Sequence, residues 1–333
     1  MVPAPDAAPF EARAEAVACP VCGQDRPRPY RRDMYRMGSL AFHLVRCPCG
    51  MVYIDPRPDA ATLRYLYDDP TYYEEGYTCG VDTLGYFERR EEMLAEYHDS
   101  IARLERETGL EGGGDLVELG SAGGFFLEAA RRRGWRVRGV EYSPRGVAYA
   151  RAEFGLEIFQ GELSEVPWEP GTLDVAVVDN VLEHTLDPTA TLVELRGLLR
   201  PGGHLLVRAP SYVNSIYFRL VLALQWLLPK RFLGARMLHI LKLPAPGQEG
   251  VPVSAPYHIL EFDRRSLCRV VEAAGFEVVD VEGSIPLPGH LFRDPRPVLG
   301  DRLQRAGFRA LDALMRAGLI QGAFLRVLAR ARQ

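Results

Sequence analysis

The stretch Asp115-Leu116-Val117-Glu118-Leu119-Gly120-Ser121-Ala122-Gly123-Gly124-Phe125-Phe126-Leu127, answered by Val137-Arg138-Gly139-Val140-Glu141, constrains the fold more than any other part of the chain. A short apolar run reads as a strand, the small residues as a turn, the segment from Gly124 as a helix, and the second apolar run as a strand ending on a carboxylate. Glycines permit positive φ and close approach of backbone to a ligand, and the first N–H groups of a helix are free. An acid at the tip of the second strand can accept both hydroxyls of a ribose. The unit is predicted to bind a nucleoside cofactor, with Gly120, Ala122 and Gly124 forming the turn and Glu141 taking the ribose.

Which nucleoside follows from two departures from the dinucleotide pattern. The spacing is Glu118-x-Gly120-x-Ala122-x-Gly124 instead of G-x-G-x-x-G, and an acid already stands at the end of the first strand. Glu118 would repel a phosphate and suits a sulfonium and an ammonium group. The run resembles motif I of the Rossmann-like class I S-adenosylmethionine (SAM) methyltransferases, E/D-x-G-x-G-x-G, with Ala122 at the middle glycine. The resemblance continues for about a hundred residues through Gln160-Gly161-Glu162-Leu163, the strand 173–180, Val181-Leu182-Glu183-His184 and the Leu199-Arg200-Pro201-Gly202-Gly203 turn. It implies an α/β fold with a mainly parallel sheet, SAM as cofactor, and Glu162 near the adenine. Family members end in an antiparallel pair of strands. Residues 283–294 are short and proline-rich, so the last strand is not expected here.

At 333 residues the chain is long enough for one full core plus an accessory module. A net charge of -4 gives no reason to expect nucleic acid as a partner. Six cysteines, four of them in two close pairs, do not resemble a secreted disulfide framework, and no signal peptide opens the chain, so a cytoplasmic location is expected.

Cys19-Pro20-Val21-Cys22-Gly23 and Cys47-Pro48-Cys49-Gly50 read as two knuckles, since tetrahedral zinc takes four thiolates and glycine frees the amides to turn toward sulfur. Cys19, Cys22, Cys47 and Cys49 are therefore the candidate ligands of a structural zinc; the alternative is four reduced thiols in a metal-free module. The segment resembles the small zinc-ribbon-like domain that precedes some methyltransferases of sugar and polysaccharide pathways. Cys79 and Cys268 read as ordinary thiols, Cys268 on the buried face of a helix. Tyr65, Tyr67, Tyr72, Tyr73 and Tyr77 crowd the linker, where they either touch cofactor or acceptor or pack at a domain interface.

Methyl transfer from a sulfonium is an in-line displacement, so the acceptor must be held against the methyl and a hydroxyl acceptor must lose a proton. His184 follows the fourth strand, at the edge where ligands of open α/β sheets bind, and is the first catalytic candidate. His258 in Tyr257-His258-Ile259-Leu260-Glu261-Phe262 is the second. Asp179, with Asn180, ends the strand and can bind acceptor or cofactor. Each also has a purely structural reading: packing for His184, loop anchoring for His258 and capping for Asp179.

Residues 216–228 are apolar on almost every side but too short to span a bilayer, which takes about 20 residues. They suit a cap over the active site, a surface shared with a second copy of the chain, or a membrane interface. Between 301 and 333 there are seven arginines, two aspartates and leucines at helical spacing, the pattern of a basic amphipathic helix that docks on anionic lipid or on its own domain. The expected organisation is a zinc-ribbon-like module with tyrosine-rich linker over 1–77 and a linking helix over 78–108. A methyltransferase domain follows over 109–285, with a helical insertion at about 211–256, and then a basic helical tail over 286–333. The expected function is SAM-dependent methylation of a small polar acceptor, a sugar or saccharide, lipid-linked if 215–243 and 301–333 contact a membrane. The alternatives are an amphiphilic acceptor such as a quinone precursor or acyl lipid, and a catalytically silent SAM-binding interaction module.

Overall fold

The computed structural model describes residues 10–67, 85–216, 258–285 and 299–332. Cys79, Tyr72, Tyr73, Tyr77 and most of the 211–256 insertion lie outside the described residues. The central element is a seven-stranded sheet. Five strands are parallel: β6 (Asp115–Leu119), β7 (Arg136–Glu141), β8 (Ile158–Gln160), β9 (Leu173–Asp179) and β10 (Leu199–Pro210). Strand β12 (Phe276–Ser284), running in the same direction as these five, and β13 (Phe324–Ala331), antiparallel to both of its neighbours, complete the order β12-β13-β10-β9-β6-β7-β8.

All seven residues of β9 are buried, as a strand covered on both faces requires. The period of two divides its side chains between two cores. Val175 and Val177 join Leu206 of β10 and the helices α2 (Arg90–Thr108) and α3 (Phe125–Arg132), where Tyr97, Ile101, Leu104 and Phe126 pack. Ala176 and Val178 face the opposite core with Leu205 and Val207, beneath α5 (Pro188–Leu198) and α6 (Arg264–Ala273). The helices begin where their caps allow: Asp187 accepts the Ala190 N–H, and Asp263 and Ser266 form a reciprocal capping box.

The same second core includes the N-terminal part of the chain. Strands β2 (Arg28–Met37), β3 (Leu40–Arg46) and β4 (Val52–Ile54) form an antiparallel sheet whose fourth member, β11 (Leu260–Glu261), comes from beyond the insertion. Leu260 pairs with Tyr53, and the Ile54 N–H donates to the Ile259 carbonyl at 3.0 Å. The N-terminal module is thus continuous with the main core and tied directly to the segment that carries His258.

The tail departs from the helical expectation. Helix α7 (Leu299–Arg316) is present, but residues 324–331 form β13, inserted between β10 and β12, so the antiparallel end of the sheet is complete. Leu325, Val327, Ala329 and Ala331 alternate into the core, a period of two that leucine spacing alone does not separate from a helix. Its arginines are spent within the molecule: Arg326 pairs with Glu107, and Arg330 Nε donates to the Gly202 carbonyl at 3.2 Å. The Arg200-Pro201-Gly202-Gly203 turn lies inside β10 as an irregularity between Leu199 and His204, which pair with Leu173 and Val175.

Candidate active site

The strand order reverses at β6, between β7 and β9, and the carboxyl ends of these three strands bring Glu118, Glu141 and Asp179 together. The turn after β6 is drawn over β7, because the Gly120 and Ser121 N–H groups both donate to the Val140 carbonyl at 2.8 and 3.1 Å. Gly120 (φ 70°), Ala122 (φ 46°) and Gly124 (φ 75°) all take left-handed backbone. A Cβ at Gly120 would lie 2.3 Å from Val181 Cγ2, so the glycine is required by the loop after β9 as well as by any ligand.

Glu141 braces this turn. One oxygen accepts the Ala122 N–H and the other the Ser143 N–H, each at 2.7 Å. Burial raises its pKa, with the Ser143, Ala122 and Tyr142 amides opposing the rise. Glu118 is 4% exposed and its Oε2 has no hydrogen-bond partner among the described residues. Burial, then the charges of Asp179 and Glu141, push its pKa well above the usual carboxylate range, and Arg208 opposes them. Asp179 accepts from Arg208 Nε and Asn180 Nδ2, both at 2.9 Å. This acid-rich cluster with an orphaned carboxylate oxygen suits a ligand that brings positive charge and donor hydroxyls.

Residues 86–281 match the methyltransferase domain family. The chain belongs to this family. A probable S-adenosylmethionine-dependent methyltransferase of Mycolicibacterium smegmatis is 30% identical over 172 residues, 51% of this chain and 55% of that protein. A ubiquinone biosynthesis O-methyltransferase of Aeromonas salmonicida is 27% identical over 174 residues, 50% of this chain and 65% of that protein. The matching stretch therefore spans less than two thirds of either relative. Among solved structures, an S-adenosylmethionine-dependent methyltransferase from Mesorhizobium loti aligns with a TM-score of 0.43 at 18% identity, covering 68% of this chain and 96% of that one.

SAM is the cofactor of the methyltransferase family, and the residues present fit it: a left-handed turn over β7, a buried acid at its end, and a Glu118 Oε2 with no hydrogen-bond partner among the described residues. Glu162 stands apart. Its side chain is 55% exposed, accepts from Arg64 at 2.6 Å and caps the turn Leu163–Glu165.

The two sequence-predicted histidines meet. His184, in the turn Leu182–His184 after β9, and His258, just before β11, have ring centroids 4.9 Å apart. Tyr67 Oη lies 2.7 Å from His184 Nδ1, so one tyrosine of the crowded linker reaches the site. Glu183 is fully buried beneath them, with His184 Nε2 3.6 Å from its Oε1.

The four predicted cysteines also converge. Cys19 and Cys49 sulfurs are 3.7 Å apart, Cys22 and Cys47 sulfurs 3.4 Å, and all four lie within 4.8 Å of one another. Zinc–sulfur bonds in a tetrahedron place sulfurs about 3.8 Å apart, so the cluster can hold a zinc ion. The knuckles turn at Gly23 (φ 72°) and Gly50 (φ 102°), where the Gly23 and Gly50 N–H groups donate to the Cys19 and Cys47 carbonyls. Burial pushes the Cys47 thiol up to about 11 in the metal-free chain. Cys268 is half-buried, outside any such cluster among the described residues.

Sequence reasoning missed Arg208, which neutralises Asp179 from β10 and lies over the Tyr97 ring. Its signal was an arginine between Val207 and Ala209 in an otherwise apolar strand.

Proposed function

We propose that this methyltransferase transfers the methyl group of SAM to a small polar acceptor bearing a nucleophilic oxygen, a sugar or saccharide in the preferred reading. The observation that carries this is the convergence of Glu118, Glu141 and Asp179 on the glycine turn, with the His184–His258 pair following β9 on the same edge. Glu141 takes the ribose, Glu118 and Asp179 favour the cationic amino-acid end, and Glu162 reaches the adenine if Arg64 releases it. His184 and His258 form the acceptor end. A zinc ribbon built on Cys19, Cys22, Cys47 and Cys49 stabilises the N-terminal sheet, which supports His258 through β11.

A second reading, an amphiphilic acceptor such as a quinone precursor, is supported by the name of the Aeromonas relative. Measuring conversion of SAM to S-adenosylhomocysteine with sugar nucleotides, dihydroxyaromatics and lipids separates the readings: turnover only with sugars supports the first, turnover only with the aromatic or lipid the second. SAM binding without turnover on any class would support a silent binding module. Peripheral membrane contact through 215–243 and 301–323 is proposed only for a lipid-linked acceptor, residues 324–331 being taken up in β13. No helix among the described residues is long and apolar enough to cross a membrane, and flotation with anionic vesicles at low salt tests the contact.

A further inference from the structure

We propose that Glu183, His184 and His258 form a binding site for a divalent transition-metal ion that holds the acceptor oxygen, a site separate from the four-cysteine cluster. The inference rests on the methyl-transfer reading above and concerns how the acceptor end works. One ligand atom from each residue lies within 4.8 Å of the others. Glu183 is 0% exposed, and neither of its carboxylate oxygens has a hydrogen-bond partner among the described residues. A buried carboxylate is ordinarily hydrogen-bonded, paired with charge or bound to metal.

The geometry supplies the rest. His184 Nε2 is 3.6 Å from Glu183 Oε1. Two ligands on one ion at bond lengths near 2.1 Å stand about 3.4 Å apart at a tetrahedral angle, so little movement is needed. His184 Nδ1 lies 2.7 Å from Tyr67 Oη. In the tautomer that donates from Nδ1 to this hydroxyl, Nε2 presents its lone pair toward Glu183, the arrangement by which an outer hydrogen bond orients a metal-binding imidazole. Both backbones are tied to one frame, because the Ile259 N–H donates to the Glu183 carbonyl at 3.0 Å, which fixes the segment of His258 against the turn of His184.

Two imidazoles and one carboxylate suit zinc, manganese or iron(II), and three protein ligands leave positions open for oxygen. A hydroxyl bound there loses its proton to water more readily. Its oxygen lone pair then forms the C–O bond as the C–S bond of the sulfonium breaks, and the electron pair of that bond passes to sulfur.

The test uses the full chain with zinc on its four cysteines, titrated with Mn2+, a hard ion that does not displace zinc from thiolates. Paramagnetic resonance of free Mn2+ should show one bound equivalent. Glu183→Gln and His258→Gln should each weaken binding at least tenfold, and Tyr67→Phe by 10–100-fold as an orienting partner. Thermal melts identify any variant that fails to fold, and the remaining variants then decide. No bound Mn2+ in the wild type, or binding unaffected by folded Glu183→Gln or His258→Gln, overturns the site. SAM affinity measured calorimetrically on the same samples separates the two levels: a chain that binds SAM but no Mn2+ rejects the metal site alone, whereas no SAM binding rejects the methyltransferase reading itself.

Discussion

Glu141 holds the turn that precedes it in sequence: its Oε2 accepts the N–H of Ala122 at 2.7 Å, so the carboxylate predicted to bind a ribose also fixes the loop around it. Replacing it removes both contributions. Glu141→Ala is expected to weaken SAM binding by roughly 2 kcal/mol, the scale of charge-assisted hydrogen bonds lost to a ligand. It should also lower the melting temperature without ligand, because the buried Ala122 and Ser143 amides lose their acceptor. Calorimetry and a thermal melt check the two effects separately; unchanged affinity would place the ribose elsewhere.

Gly120 and Val181 form a second coupled pair. Gly120→Ala puts a Cβ into the space of Val181 Cγ2 and strains a left-handed residue, and together these should destabilise the fold by about 2–4 kcal/mol. Val181→Ala relieves only the overlap. In a double-mutant cycle by urea unfolding, the double variant should recover part of the loss and retain the backbone strain. Full additivity would show that Val181 is not the obstacle.

Ala122 tests the same turn in the opposite direction. Its φ of 46° is a conformation that a Cβ disfavours. Ala122→Gly should therefore stabilise the protein by up to about 1 kcal/mol and leave SAM affinity equal or better, readable from paired melts and titrations. A destabilised variant would mean that the methyl packs usefully against its neighbours.

The parallel strands and the turn were legible because their evidence is local: apolar runs of strand length, glycines at fixed spacing and an acid at each strand end. Glu118, Glu141, Asp179 and the cysteine quartet were named from such spacing, His184 from its place after the fourth strand and His258 from the family resemblance, and the structure brings each group together. Strand β13 was not legible. Arginines at 326 and 330 share a face in a helix and in a strand alike, and only the edge of β10 decides between them. The pairing of β11 with β4 was hidden for another reason. It joins residues some two hundred positions apart, and nothing in Leu260-Glu261 announces a partner. Arg208 was overlooked because a charge inside an apolar strand has meaning only once Asp179 is placed beside it.

For the cysteine cluster, the chain purified without added metal is expected to carry one zinc on these thiolates, so that Cys47→Ser lowers the zinc content by one equivalent in elemental analysis. Because binding free energy of such a site is folding free energy, chelation should expose the first ~70 residues to protease while the central sheet persists. Protection that survives complete removal of metal would show that the hydrophobic packing of Phe42, Met51 and Tyr53 suffices on its own.

Acid sensitivity should trace in part to Glu282, on the strand beside β13. Arg103 donates to both of its oxygens at 2.7 and 2.8 Å, and this pairing, against the opposing effect of burial, lowers the Glu282 pKa in the folded state. A folded pKa below the unfolded one means that the unfolded chain binds the proton more readily. The pair's stabilisation is thus complete above the unfolded value of about 4.3 and is lost as pH falls through the lower folded value. With both side chains partly exposed, the contribution is about 1 kcal/mol. Glu282→Gln should cost about that much near pH 7, and urea-unfolding curves of variant and wild type should converge as pH drops toward 3. A gap that stays constant across this range would assign the loss to packing between α2 and β12 instead of to charge.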